Sequence, residues 1–265
     1  MISTILSIVS IIMTLAFIPI MIFTFRGKLQ FLQGVFLSSG AMLLSFVTSV
    51  LEFNIKTGQN IIDITINDSF VQIKATFDTF SVEQLQKMLG NVSVEQVAAF
   101  RGDLTNTLAT LLDLYTLFFP AILILTMLAF SFVAFMVIKL ILGLFKFDTS
   151  GFPMFSEFKI SKITFIALVI SLIGVSAYPI YTVSAAFLNI AVVILGVTSV
   201  CGFSLLDFQV RKKVENSWVR ILVYVAIFAV GFSVPSIILF ALVFAAIFDS
   251  FVDFRKLNPK EEKNG

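Results

Sequence analysis

The sequence predicts an all-α fold, a polytopic transmembrane helix bundle of about seven passages with an amphipathic helical loop on its outer side. Three observations carry that expectation. The chain of 265 residues is 58% hydrophobic, its apolar residues gather in long runs, and its Lys and Arg residues cluster at alternate ends of those runs. A helix rises about 1.5 Å per residue, so about 20 apolar residues cross a hydrocarbon core of roughly 30 Å.

The first run, from Ile2 to Phe25, stops at Arg26 and Lys28. It has no basic residues before it and no Ala-x-Ala cleavage site, so it is expected to be retained as a span rather than removed as a signal peptide. The second, residues 29–53, stops at Glu52, Asn54 and Lys56. After a polar interval a third run covers residues 114–145, with Pro120 inside it and Lys139 and Lys146 at its end. The fourth and fifth, residues 163–177 and 183–206, are separated by a short segment that includes Tyr178 and Pro179.

The last run, residues 221–248, reads as one helix or two. One helix of that length would be about 42 Å long and would leave Arg255, Lys256, Lys260 and Lys263 on the outer side, against the positive-inside bias. Two short helices turning near Gly231 and Pro235 bring the basic tail back, and Pro235 suits a first helical turn. The expected count is therefore seven passages, or six if the run is a single helix.

On this threading the N-terminus is outside and the C-terminus cytoplasmic. Of the 18 Lys and Arg residues, only Lys56, Lys74, Lys87 and Arg101 then lie outside. The organisation follows: two N-terminal transmembrane helices over residues 1–53, an extracytoplasmic helical insertion over 54–113, a C-terminal bundle over 114–256 and a charged cytoplasmic tail over 257–265.

Composition excludes several kinds of chemistry. There is no His, so Ser-His triads and His-based metal sites are absent. The single cysteine, Cys201, sits in an apolar run and cannot form a disulfide within the chain. A formal net charge of +2 with no basic face interleaved with aromatics gives no footprint for nucleic acid. The 32 Phe residues read as lipid-facing bulk. No cofactor is implied, and no acid, base and nucleophile come together to suggest an enzyme.

In the outer interval Ile62, Ile66, Phe70, Ile73, Phe77 and Phe80 recur at helical spacing, which predicts an amphipathic helix; the alternation of Ile62, Ile64 and Ile66 also permits a strand. Two copies of Ser-Val-Glu-Gln begin at Ser81 and Ser93. In each, Ser can cap the backbone N–H three residues on while Gln reaches back, so two short helices are expected to start there, the first ending at Gly90.

Small residues form stripes within the spans: Gly34, Ser38, Ala41, Ser45 and Ser49 on the second, and Ala167, Ser171, Gly174 and Tyr178 on the fourth. Close helix packing is the expected use. No charged residue falls at mid-span, which argues against an ion-coupled transporter. Polar groups gather at the outer ends instead, and Glu52, Asp113, Tyr178 and Asn189 form the candidate outer cavity for a small, neutral or amphiphilic ligand.

The inner ends carry a second candidate set: Asp207, Arg211, Asp249, Asp253 and Arg255. A carboxylate at a helix C-terminus calls for a nearby cation, which Arg211 offers Asp207 and Lys256 offers Asp253. Asp249 and Asp253 share a face at i,i+4, yet two carboxylates make a poor metal site. Ser204-Leu-Leu-Asp207 and Ser250-Phe-Val-Asp253 read either as a pseudo-repeat or as two similar stop signals.

The ending from Phe248 to Lys256, with its Asp249-Ser250-x-x-Asp253-Phe254-Arg255 pattern, resembles that of the YybS (DUF2232) family of bacterial multi-pass membrane proteins. The stretch from Phe152 to Ile160 is similar to the loop of that family in the same place, and with Pro120 the resemblance spans roughly residues 110–256. It implies a bacterial cell-membrane protein of unassigned activity. Members are distantly similar to the substrate-binding S-components of energy-coupling-factor vitamin transporters, although the first helix here carries Ser3, Ser7, Ser10 and Thr14 in place of an Ala-x-x-x-Ala face. The expected function is a small-molecule binding or transport-type subunit; the alternative is a non-enzymatic scaffold for envelope or division machinery. Expected partners are the lipid bilayer, a small-molecule ligand and a membrane protein.

Overall fold

Long apolar runs become long helices because a chain in lipid must satisfy its backbone hydrogen bonds within each segment. The computed structural model describes residues 2–147, 152–177 and 181–255. The first two spans are α1 (Ile2–Phe25) and α2 (Phe31–Thr57), joined by a tight turn in which Gly27 takes a left-handed φ of 69°. They form a hairpin along their whole length. Gly34 is why they can approach so closely, since a Cβ there would overlap the Thr24 side chain. At the far end α2 stops on Gly58, also left-handed at φ 68°.

The interval beyond α2 is helical and contains no strand among the described residues. Helix α3 (Ile61–Asp78) is capped by the Asn60 side chain, and α4 (Val82–Met88) by Ser81 and Gln84 in a capping box. The second capping box, Ser93 with Gln96, does not start a short helix as its sequence suggests. It opens α5 (Val94–Leu144), a helix of 51 residues that runs through Asp113 into the membrane span without a break. No Gly or Pro pair interrupts the polar-to-apolar passage, so nothing ends the helix there. Helices α3 and α4 pack on the polar part of α5 and form a cap at one end of the molecule.

Four more helices complete the bundle: α6 (Lys162–Ala177), α7 (Tyr181–Lys213), α8 (Ser217–Ser233) and α9 (Pro235–Val252). The last apolar run is thus two helices. They meet at Val234, and Pro235 occupies the first turn of α9, where its missing N–H costs nothing. Among the described residues five helices, α1, α2, α5, α7 and α9, are long and apolar enough to cross a membrane, and α6 and α8 are shorter apolar helices.

Close contacts in the second half depend on three glycines. A Cβ on Gly202 would strike the backbone carbonyl of Leu242, so α7 and α9 cross nearly backbone to backbone; Gly174 lies 2.5 Å from Phe187 by the same measure and Gly196 2.6 Å from Leu125. Burial is unevenly distributed along the spans. The buried residues of α2 fall between Phe31 and Ala41, those of α9 between Val243 and Ser250, and the single one of α1 is Thr24; α8 has none. In α7 they run from Ala191 to Asp207. All these stretches lie toward the end opposite the cap, where Arg26, Lys28, Lys139, Lys159 and Arg211 also lie. Burial in α1, α2 and α9 is thus concentrated at the basic end, whereas α5, α6 and α7 also bury Ala121, Ser171, Gly174 and Ala191 nearer the cap.

Phe side chains do more than face lipid. Phe31, Phe135, Phe152 and Phe158 are buried in one core cluster with Val35, Ile160, Cys201 and Ala246, and Phe25 stacks on Phe152 at 4.4 Å between ring centres. The same cluster explains Cys201, which is buried as a small apolar residue.

Candidate functional site

The residues singled out at the two ends fare differently. At the basic end the segment from Phe152 to Ile160 is folded inward. A single 3-10 turn, Phe155–Glu157, carries it beneath the bundle, with Phe152, Ser156, Phe158 and Ile160 all buried. Irregular backbone buried this way exposes carbonyls that no helix ladder serves, and each needs a donor.

Three side chains supply the donors. The Arg255 guanidinium gives one N–H to the Ser156 carbonyl at 2.7 Å and another to the Phe158 carbonyl at 2.8 Å. Ser204 donates to the Phe155 carbonyl at 2.5 Å and accepts from Arg255 at 2.9 Å. Lys139 reaches the carbonyls of Phe152 and Pro153 at 3.3 and 3.4 Å.

Asp249 holds the arginine in place. Its Oδ2 receives two N–H bonds from Arg255, at 3.0 and 2.6 Å, and its Oδ1 receives the backbone N–H of Phe254 at 3.1 Å. The pair is sealed from solvent, with side-chain exposures of 1% for Arg255 and 0% for Asp249. A buried ion pair of this kind survives only when its remaining hydrogen-bonding capacity is used, and here it is. The planar fork of arginine is what allows one side chain to serve a carboxylate and two carbonyls together.

Asp253 parts from Asp249. It closes α9 in a left-handed conformation, φ 52°, and turns to Lys159 at 2.7 Å. The two carboxylates therefore do not share a helix face, because the helix has ended before the second. Lys256, expected beside Asp253, lies outside the described residues. Asp207 pairs with Arg211 at 2.8 Å and also accepts a hydrogen bond from Tyr224 of α8, tying that helix to α7. The two Ser-x-x-Asp stretches play different parts: Ser204 belongs to the arginine knot, whereas Ser250 bonds back to the carbonyl of Ile247. Among the described residues there is no group of three or more His, Cys, Asp or Glu able to hold a metal ion.

At the cap end Glu52, Asp113 and Asn189 are found on three different helices, and Tyr178 lies outside the described residues. Glu52 is half-buried and bonded to Ser7 at 2.5 Å and Lys56 at 2.5 Å. Asp113 is exposed on α5. Asn189 is fully engaged with helix backbone: it accepts from Ala121 N–H at 3.0 Å and donates to the carbonyls of Leu117 and Ala185, each at 2.9 Å. No hydrogen bond among the described residues links these three side chains.

Sequence reasoning did not foresee the chain of hydroxyls between α1 and α2. Ser7 and Ser3 reach Glu52, Ser10 bonds Ser45 and Ser49 at 3.0 and 2.8 Å, and Thr14 bonds Ser45 at 2.8 Å. Each set is visible in the sequence as a stripe; that the two stripes face each other follows only from the hairpin register. On the cap itself a crevice of about 10 Å³, lined by Lys74, Asp78, Leu85 and Arg101 among others, has room for little more than a water molecule.

Apolar helices, cations gathered at one end and a buried loop satisfied from within together define a multi-pass membrane protein with one closed end. The chain belongs to the family described as predicted membrane protein (DUF2232), whose model matches residues 1–249. That match takes in the N-terminal hairpin and the cap as well as the C-terminal bundle, and it stops at Asp249. No curated protein and no solved structure matches this chain.

Proposed function

We propose that this protein is a small-molecule binding, transport-type membrane subunit without enzymatic activity, loaded from the cap side. The observation that carries the reading is the asymmetric packing of the bundle. Buried residues of α1, α2 and α9 fall in the halves nearest the basic end, and those halves are locked by the Arg255 knot and the Phe cluster. The cap-end halves of these three helices hold no buried residue, which suits a site that admits a solute between helices. The distant resemblance of the family to S-components points the same way.

In this reading the cap lies outside, with the N-terminus, and the basic end faces the cytoplasm, in keeping with the positive-inside bias. The closed end excludes passage through the isolated chain. Release inward then calls for a partner in the membrane that moves or reshapes the subunit. Glu52, bonded to Ser7 and Lys56, and Asn189, bonded to the backbone of α5 and α7, brace the cap-side half, and Asp113 stands exposed on α5.

Native mass spectrometry of the gently solubilised full chain tests the proposal. The expected result is a retained small molecule distinct from lipid and detergent. A chain that retains only lipid, or only a protein partner, overturns it in favour of a scaffold.

A further inference from the structure

The inward face of α1 changes character halfway along. Positions 3, 7, 10, 14, 17, 21 and 24 follow one seam. Toward the basic end the seam is Phe17, Met21 and Thr24, packed on the core or against Gly34. Toward the cap it is Ser3, Ser7, Ser10 and Thr14, bonded to Glu52, Ser49 and Ser45 of α2. The opposite face of α1, with Ile5, Ile8, Ile12 and Leu15, is exposed and apolar apart from Thr4 near the helix start, as a lipid-facing surface should be. The hydroxyls are thus turned away from lipid, yet Thr14 and Ser49 remain exposed. Hydroxyls left open on the bundle side of a span have a polar neighbour to meet, since lipid offers none.

A second observation points to the same seam. Ser38 is 0% exposed and its hydroxyl has no hydrogen-bond partner. It lies on the α1-facing stripe of α2 between Gly34, which abuts Thr24, and Ser45, which bonds Ser10 and Thr14. A buried hydroxyl without a partner is uncommon, and here it stands at the foot of the open hydroxyl row.

We infer that the hydroxyl row of α1 and α2 is the polar wall of the solute site, and that it takes an uncharged molecule with a hydrogen-bonding edge and an apolar body. This rests on the binding function proposed above. Hydroxyls bonded to one another still offer spare acceptor lone pairs and can rotate to present a donor, so they serve O–H and N–H groups alike. The nearest charge, Glu52, is already matched by Lys56 at 2.5 Å. A charged solute would find no counter-ion and would pay the desolvation cost of a buried charge. The apolar body would rest against the partly buried Phe17, where the seam meets the core.

Single cysteines at Thr14→Cys, Ser49→Cys, Ile8→Cys and Ile12→Cys, each in the full chain with Cys201→Ala and reconstituted in nanodiscs, test the wall with a charged maleimide. The substitutions at 14 and 49 should label to completion and those at 8 and 12 should stay unlabelled; Ser45→Cys replaces either hydroxyl variant that does not fold. Hexane-1,2-diol should slow labelling at position 49, whereas hexanoate and hexylammonium at the same concentration should not. Labelling at 8 and 12 equal to that at 14 and 49, or none at 14 and 49, overturns the wall. Equal protection by the charged compounds overturns the assigned class. Failure of the binding function shows separately, as wild-type protein that retains no small molecule in native mass spectrometry.

Discussion

Asn189 braces α5 at the position where Pro120 weakens it. Pro120 has no N–H to donate, and next to it the Asn189 amide accepts from the Ala121 N–H at 3.0 Å and donates to the Leu117 carbonyl at 2.9 Å. Those two backbone groups are a helical i, i+4 pair, so one side chain from α7 spans the step that a proline disturbs. In lipid no water can take that role.

Asn189→Leu should therefore lower stability by about 1–2 kcal/mol through unpaired backbone groups. The loss should shrink when Pro120→Ala is made in the same chain, because an unbroken helix needs no brace. Thermal unfolding of the four members of this double-mutant cycle in one detergent measures the coupling.

Removing the guanidinium at the basic end should cost more. Arg255→Met strands the fully buried Asp249 and leaves the carbonyls of Ser156 and Phe158 without donors, a loss of about 3–5 kcal/mol on the scale of broken buried pairs. Replacing Asp249→Leu together with Arg255→Met should recover part of it, since the lone charge is then gone. Arg255→Lys should rescue poorly, because an ammonium cannot match the fork geometry. Limited proteolysis within residues 152–160, together with the melting temperature, reports both effects.

The crossing of α7 and α9 gives a sharper steric test. Gly202→Ala places a methyl group against the Leu242 backbone carbonyl and should destabilise by about 1–3 kcal/mol. Gly40→Ala, where nothing lies within 4 Å, should be neutral or stabilising by up to about 1 kcal/mol. Both are read from thermal unfolding in detergent.

At the cap, Ser93→Ala removes the hydroxyl that accepts from Gln96 N–H at 3.2 Å. The expected cost is about 1 kcal/mol, confined to the first turns of α5. Hydrogen exchange should rise over residues 94–100 and stay unchanged in the membrane-spanning part of the same helix. Faster exchange throughout α5 would contradict a local cap.

Legibility in the sequence divided along the range of the forces involved. Hydropathy and capping are local properties, so the spans, the amphipathic α3 and both capping boxes could be read from residues close together in the chain. The turn at Val234 could be read as well, since Pro235 and the basic tail are both needed only once and in order. The length of α5 could not: Ser93 marks a helix start, but nothing local says whether the helix stops before the membrane. Among the candidate site residues, Asp207 and Arg211 are four apart and meet by helix geometry. Asp253 meets Lys159 across 94 positions, and Asn189 meets Leu117 across 72, pairings that no spacing announces.

By itself the sequence determined that this chain is a multi-pass membrane protein and which apolar runs become its helices, because burial of apolar surface and internal satisfaction of backbone hydrogen bonds act segment by segment. Only the tertiary structure decided that Arg255 stitches a buried loop to the bundle and that two hydroxyl stripes zip into one wall. Those outcomes depend on helix register and crossing distance, set by glycines such as Gly34 and Gly202, which bring together side chains that the chain itself keeps far apart.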